Sequence, residues 1–261
     1  MPSATTAIHP SGVLKIAFTE EDHRYIDDFG LEYTSGTRLI HNAFAPFDTA
    51  AAAAAKSKKT GRPADEFIQE WKRYGEECAT AGTRTHENCE NQILMQYDKL
   101  HTPKDEAERI RFSAAWREVE QLQQIYSCIE PEKLVFSPRF LVAGSIDMFC
   151  TFDQMHYAIG DWKFVRKLPK ESFGGRTGIV RATFHIPDAK FWHYALQLNI
   201  YRMILKIEGY IPMTAQVDLF LKHYNFADGF FEHIVIPDLS VEALLLIAEN
   251  VTVDGLERTP F

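Results

Sequence analysis

The segment "GSIDMFCTFDQMHYAIGDWKF", residues 144–164, contains two hydrophobic, strand-like runs separated by a polar turn. This pattern predicts two antiparallel strands joined as a hairpin. Each strand carries an aspartate, Asp147 and Asp161, and Lys163 follows the second aspartate by two positions. Because an unpaired carboxylate is costly in a sheet interior, three ionisable side chains in one hairpin require an explanation.

The strand register decides whether these three side chains share one face of the sheet. Residues two apart in a strand lie on the same face, so Asp161 and Lys163 point the same way. Directly opposed residues of antiparallel strands also share a face. Asp147 therefore joins them if it lies opposite Asp161 or Lys163, which requires an odd-length loop around Asp153–His156 or a bulge. A strict four-residue loop would separate the two aspartates.

Two carboxylates that converge form a hard-oxygen site suited to Mg²⁺ or Mn²⁺. Lys163 beside them could orient or deprotonate a water and stabilise negative charge on a phosphate. Two structural alternatives stay open: an ion pair between Lys163 and one aspartate, or an aspartate at a solvent-exposed strand end. A D-x-K tripeptide alone is common, so the signal lies in the two strands taken together.

The rest of the chain predicts a mixed α/β fold of the α+β kind, with a central mixed β-sheet flanked by helices. Residues 66–127 have a helical pattern, and the hairpin follows with one further strand before it. Residues 188–209 predict a long helix, with Asp188 as a candidate N-cap and Gly209 as its stop. A second strand pair and a final helix complete the order.

Residues 1–65 are predicted to be an N-terminal elaboration, with a hairpin and a helix, packed on a main domain of residues 66–261. Ser35 or Thr37 could cap the helix that follows the hairpin. The alanine-rich stretch at residues 48–62 predicts a short helix that runs into a basic turn.

Composition limits the classes of protein. Hydrophobic residues make up 46% of the 261 residues, as in a globular protein, and the formal net charge is −8. This charge argues against nucleic-acid binding through global charge but leaves room for a local basic surface. Four cysteines without a C-x-x-C pair, no signal peptide and no apolar run of membrane-spanning length predict a cytoplasmic protein with free thiols.

One segment is basic although the chain as a whole is acidic. Residues 163–190 hold seven lysines and arginines against two acidic residues. This composition is typical of a phosphate-contacting segment, and a solvated basic loop is the alternative. The segment has no base-reading signature, so sequence specificity is not expected.

Four motifs in order resemble the RecB-type branch of the PD-(D/E)xK nuclease superfamily, which includes phage and viral exonucleases. "GTRTHENCE" supplies a helical G-x-x-x-H with Gly82 and His86, "GSID" the G-x-x-D strand, "GDWK" the D-x-K strand and "QLNIY" the Q-x-x-x-Y helix. The match covers roughly residues 75–225. The superfamily name begins with a proline that precedes the first aspartate. Ile146 occupies that position here, and the RecB-type branch often lacks the proline.

The resemblance implies a restriction-endonuclease-like core and a role for each matching residue. Asp147, Asp161, His86 and the backbone carbonyl of Trp162 would bind Mg²⁺ or Mn²⁺, and Lys163 would be the catalytic lysine. Gln197 and Tyr201 would contact that lysine or the DNA phosphate. The candidate substrate-binding residues are Arg166, Lys167, Lys170, Arg176 and Arg181.

Some relatives in this branch hold an iron–sulfur cluster through one upstream cysteine and a group of cysteines near the C-terminus. No cysteine follows Cys150, so we expect no such cluster and no other cofactor.

The residues outside the hairpin carry weaker signals by themselves. His86 is one of ten histidines, and Glu90, one helical turn on, is either its partner or a solvated charge. Gln197 and Tyr201 lie beside an apolar stripe and could be ordinary boundary residues. Glu132, at the start of the strand before "GSID", is either a further acid of the site or an edge-strand charge.

The expected function is a metal-dependent deoxyribonuclease, an exonuclease that acts on DNA ends in recombination, repair or replication. It would bind DNA without sequence specificity, with a recombination or single-strand-binding protein as a candidate partner and no membrane association. The alternatives are a structure-specific endonuclease, a catalytically inactive DNA-binding protein on the same scaffold, and a metal-dependent hydrolase of a small substrate. The sequence leaves the oligomeric state open.

Overall fold

The computed structural model describes residues 5–250, which form one mixed sheet with helices on both faces. The strands are β1 (Thr5–Ile8), β2 (Lys15–Thr19), β3 (Arg24–Asp27), β4 (Glu32–Ser35), β5 (Cys128–Ser137), β6 (Val142–Thr151), β7 (His156–Lys163), β8 (Gln216–Asn225) and β9 (Phe230–Val235). The helices are α1 (Gly36–Ala43), α2 (Thr49–Thr60), α3 (Ala64–Ile93), α4 (Glu106–Ile125), α5 (Lys190–Ile207) and α6 (Ser240–Glu249). The predicted fold class is confirmed.

The sheet has the order β1-β2-β3-β4-β6-β7-β8-β9, and β5 pairs with β6 outside this path. Hairpins give the antiparallel pairs β5–β6, β6–β7 and β8–β9. β7 and β8 are parallel because α5 crosses between them. β4 also runs parallel to β6, next to the first residues of that strand.

Two apolar clusters fasten the helices to the two faces of the sheet. On one face α1, α5 and α6 pack on the strands through residues such as Leu39, Leu196 and Leu246. On the other face α3 and α4 cover the strands through Cys89 and Val119. Burial of these apolar faces is the main favourable term in holding the layers together.

The N-terminal residues form a four-stranded antiparallel meander that continues the main sheet through β4. Its core, with Ile16, Tyr25 and Tyr33, packs against Leu134 and Phe136 of β5. β1 and β2 were not part of the sequence prediction, because strands of four or five residues give little periodic signal.

Two of the three helix ends predicted from the sequence follow the local rules. Ser35 caps α1 and accepts a hydrogen bond from the Arg38 amide at 3.1 Å. Gly209, with φ 76°, follows the end of α5 as predicted. The prediction of Asp188 as the N-cap of α5 is wrong: Ala189 occupies that position without a side-chain cap. The carboxylate of Asp188 instead pairs with Arg176 at 2.7 Å and lies 3.1 Å from Nε2 of His193.

Among residues 5–250, no helix combines the length and apolar character that a membrane crossing demands.

The backbone of β6 is packed directly against α5 at Gly144. A β-carbon built at Gly144 would lie 2.3 Å from Cε1 of Tyr201, a residue that is only 4% exposed. We expect Gly144→Ala to destabilise the protein by about 1–3 kcal/mol, because the ring has no room to move. The midpoint of urea unfolding measures this change.

Gly75 in α3 is the matched control, since a β-carbon there meets nothing within 4 Å. Gly75→Ala should raise stability by about 0.5–1 kcal/mol through helix propensity. Equal effects of the two substitutions would contradict the close packing of Tyr201 on β6.

Candidate active site

Along one edge, β6 pairs first with β4 and then with β7, and the sheet has an opening between these two pairings. The ladder from β4 ends at Ala143, the ladder from β7 begins at Met148, and no ladder pair joins residues 144–147 to either strand. Within this opening the Trp162 amide donates to Oδ2 of Asp147 at 3.0 Å, in place of a backbone carbonyl. Where β6 and β7 diverge, the Asp147 side chain thus accepts a hydrogen bond that a backbone carbonyl would otherwise accept.

The register of the hairpin meets the condition set by the sequence. Pairs run from Met148–Gly160 to Thr151–Tyr157, so the loop of residues 152–156 is odd in length. One position beyond the Met148–Gly160 pair, Asp147 lies opposite Asp161. The two carboxylates therefore meet at the point where the strands separate.

Asp161 and Lys163 form the centre of this cluster. Nζ of Lys163 lies 2.5 Å from Oδ2 of Asp161 and 4.5 Å from the ring centre of Tyr194. Oδ2 of Asp161 is buried, and no described residue gives it a hydrogen bond of suitable geometry despite the short ion pair. This oxygen has capacity for a further electropositive partner.

The charges of the cluster determine how Lys163 can act. Burial lowers the pKa of Lys163, but the negative charges of Asp161 and Asp147 outweigh burial and raise it above its ordinary value. Lys163 is therefore protonated at neutral pH and can stabilise negative charge. This favours the charge-stabilising role considered for Lys163 over its role as a base.

The surroundings of Asp147 disfavour the charged form of its carboxyl group. Burial raises the pKa of the Asp147 carboxyl well above its usual range, and the negative charge of Asp161 raises it further. Two carboxylates this close hold both charges only if a cation compensates them.

His86 enters the same cluster from α3. Its Nε2 lies 3.5 Å from Oδ2 of Asp147 and 3.2 Å from the carbonyl oxygen of Trp162. Burial lowers the pKa of His86, and the positive charge of Lys163 lowers it further. The imidazole is thus neutral, which is the form that binds metal ions.

Glu132, which the sequence left undecided, belongs to this cluster. One ligand atom each from His86, Glu132 and Asp147 lie within 4.8 Å of one another. The β5–β6 ladder is interrupted at the position where Glu132 lies opposite Asp147, and Glu132 adopts φ 48°. Ser145 holds its carboxylate with a hydrogen bond of 2.7 Å. A sequence pattern shows an acid at this position but gives no sign of the left-handed backbone.

The chemistry of these donors fits a divalent cation. The carboxylates of Glu132 and Asp147 and one neutral imidazole, with the Trp162 carbonyl beside His86, provide mostly hard oxygen ligands, as Mg²⁺ and Mn²⁺ require. Lys163 pairs with Asp161, and burial together with the charge of Asp161 raises the pKa of Asp147, so the acids of the cluster outnumber the ammonium beside them.

Gln197 and Tyr201 lie at the α5 side of the opening. The Gln197 amide donates to the hydroxyl of Tyr201 and to Oγ1 of Thr37, each at 3.1 Å. These bonds join α5 to α1. The aromatic ring next to Lys163 is that of Tyr194, which the sequence did not single out because it lies among apolar residues of the helix.

A groove of about 850 Å³ leads to the cluster between the N-terminal meander and α3. Its acidic lining residues are Glu20, Glu87, Glu90 and Glu132, and its one basic lining residue is Lys190. Burial raises the pKa of Glu90, with further contributions from Glu132 and Glu87. This groove by itself repels a phosphate chain, so anion binding there depends on added positive charge.

The basic residues of the 163–190 segment have different environments. Arg166 lies 4.4 Å from the ring centre of Tyr74 and 3.2 Å from Glu77. Arg176 is paired with Asp188. Lys167, Lys170 and Arg181 are exposed. These side chains therefore lie outside the lining of the groove, whereas Lys190 of the same segment is part of it.

Comparisons with known proteins add little to this geometry. No protein-family model matches the chain, and no curated protein matches it. A crystal structure described as a "Putative exonuclease" from Eubacterium rectale is 14% identical, with 84% of this chain and 79% of that chain covered and a TM-score of 0.39. A likeness at this level defines neither a family nor a function.

A metal ion at this cluster should depend on Asp147 and His86. We expect wild-type protein to bind Mn²⁺, and Asp147→Asn or His86→Ala to weaken binding by at least about tenfold, because each removes a ligand. Isothermal titration calorimetry measures the affinity.

The matched control is Asp153→Asn at the hairpin tip, where the carboxylate is paired with His156. This variant should bind Mn²⁺ as the wild type does. A wild-type affinity that survives in both Asp147→Asn and His86→Ala would remove the site from this position.

Proposed function

We propose that this chain is a metal-dependent deoxyribonuclease of the PD-(D/E)xK superfamily, RecB-type branch, that hydrolyses phosphodiester bonds from DNA ends. The observation that carries this proposal is the convergence of Asp147, Asp161 and protonated Lys163 with His86 where β6 and β7 separate. These residues come from three of the four sequence motifs, in the same order along the chain, and the fourth motif supplies Gln197 and Tyr201 at the α5 side of the opening.

The residues of the chain have distinct tasks in this proposal. His86, Asp147, Asp161 and the Trp162 carbonyl would hold Mg²⁺ or Mn²⁺, with Glu132 as a further acidic ligand. The bound ion would supply Lewis-acid catalysis and a more acidic water at neutral pH. Lys163 stabilises the charge that develops on the phosphate, since its ammonium is fixed by Asp161 and needs no reorganisation.

Gln197 is a positioning residue, and Tyr201 holds its amide in place. The hydrogen bonds from Gln197 to Tyr201 and Thr37 fix the edge of the opening next to Lys163. The ring of Tyr201 is wedged against Gly144 of β6, so α5 follows the catalytic strand closely.

DNA is the substrate that the surface charge favours. Lys167, Lys170 and Arg181 are exposed in a chain of net charge −8, and Arg166 also faces solvent. Cationic side chains without a base-reading element bind the phosphate backbone irrespective of sequence. A small-molecule hydrolase would have no use for this local charge.

The rival proposal is a catalytically inactive DNA-binding protein on the same scaffold. Loss of an acid or of the lysine would be its mark, and the cluster retains both aspartates and Lys163. An intact and electrostatically strained cluster is costly, so the enzyme is the better account of it.

Lys163→Ala should lower the rate of DNA hydrolysis by about 100- to 1,000-fold, since it removes one preorganised charge from the transition state. Lys206→Ala, in the last turn of α5, is the control and should cut DNA at the wild-type rate. Circular dichroism and thermal unfolding check that both variants fold. Undiminished DNA degradation by a folded Lys163→Ala protein would rule out the catalytic role.

Digestion of end-labelled linear DNA beside covalently closed circles, with Mg²⁺ or Mn²⁺, tests the action on ends. We expect the linear DNA to disappear while the circles survive, because a closed circle offers no terminus. Loss of circles at the same rate would identify the endonuclease alternative.

A further inference from the structure

A second cavity of about 220 Å³ lies beside the candidate active site, between α1, the segment of residues 44–47 and α5. Gln197 and Tyr194 both line it. The ring of Tyr194 also lies 4.5 Å from Nζ of Lys163, so this side chain connects the cavity with the cluster. None of the roles described above involves this cavity.

The cavity has aromatic walls. The rings of Phe44 and His193 lie 4.2 Å apart at its base, and Phe44 is buried. Phe47 also lines the cavity and is 56% exposed. An apolar cavity of about 150 Å³ can hold benzene, whereas drug-sized ligands need about 300 Å³ or more. The volume therefore suits one planar ring system.

The polar groups of the cavity suit a ring with a hydrogen-bonding edge. Asp188 supplies a buried carboxylate, which Arg176 and His193 hold at 2.7 and 3.1 Å. Thr37 and Gln197 also line the cavity, and the Gln197 amide donates to the Thr37 hydroxyl. Donors and acceptors around an aromatic slot are how proteins hold a base removed from its stack.

Arg176 adds a cation at the entrance. Its guanidinium carbon lies 5.8 Å from the ring centre of Phe47, so an aromatic surface and a positive charge lie next to each other. Arginine binds phosphate oxygens through its planar fork. A base slot with a phosphate-binding group beside it has the chemistry of a nucleotide site.

We propose that this cavity binds one unstacked base of the DNA strand whose phosphate lies at Lys163, with the base on Phe47 and Arg176 at a neighbouring phosphate. This inference rests on the proposed nuclease function. Stacking accepts every base, which agrees with cleavage without sequence specificity. A base leaves a single strand or a frayed end at little cost, so such ends are the preferred substrates.

The test uses a single-stranded hexanucleotide that carries 2-aminopurine, with Ca²⁺ in the buffer. Stacking quenches the fluorescence of this base. Wild-type protein should quench it on binding, whereas Phe47→Ala should lose the quenching and bind about 5- to 100-fold more weakly. Phe47→Trp restores an aromatic surface and should restore both signals.

Phe152→Ala is the matched control, because Phe152 is 59% exposed but lies at the far tip of the β6–β7 hairpin. It should bind and quench as the wild type does. A hexanucleotide with an abasic residue at the labelled position should lose affinity for wild-type protein and show no difference between wild type and Phe47→Ala.

The outcomes separate this inference from the nuclease function. Quenching that depends on Phe47 in a protein that leaves DNA intact would support the base site and contradict the nuclease. DNA cleavage together with equal affinity and quenching in wild type and Phe47→Ala would overturn the base site alone. Absence of any hexanucleotide binding would overturn it as well.

Discussion

The hydrogen bond from the Trp162 amide to the Asp147 carboxylate is the contact on which the site depends. In a regular ladder that amide would face a backbone carbonyl, and the two strands would stay together. The carboxylate takes the place of the carbonyl, so β7 leaves β6 without an unsatisfied buried amide. The same bond fixes the Asp147 side chain opposite Asp161. The opening in the sheet and the position of one proposed ligand thus have a single cause.

The charges of the opening fit a bound cation. Among the described residues, Lys163 is the cation paired with Asp161, and burial together with the negative charge of Asp161 raises the pKa of Asp147. Glu132 adds a further negative charge. A structural ion pair would require one acid for one base, whereas this cluster gathers an excess of acids. Such an excess is stable when a divalent ion completes it.

Much of the fold and the hairpin geometry follows from the sequence. Alternation left two possible faces for Asp147, and the loop of residues 152–156, whose length the sequence did not settle, places it opposite Asp161. The long helices were predictable from their apolar stripes. The start of α5 was not, because Asp188 binds Arg176 and His193, and a local capping rule does not include tertiary ion pairs. The places of Glu132 and Tyr194 at the site could not be predicted from the sequence either. Glu132 has a left-handed backbone conformation, and the Tyr194 ring lies next to the ammonium group of Lys163. Assignment of catalytic roles stays a prediction from the motifs.

The parallel pairing of β4 with the start of β6 has a consequence for how the chain can be divided. Thr34 and Ser35 cover the edge of β6 at Val142 and Ala143, both fully buried, and α1 follows directly to meet Gln197 and Tyr201. A polypeptide that began at residue 66 would expose that edge as free hydrogen-bonding groups beside apolar side chains, a template for intermolecular strand addition. β4 and α1 therefore shield the start of β6, the strand that carries Asp147, from pairing with another copy of the chain.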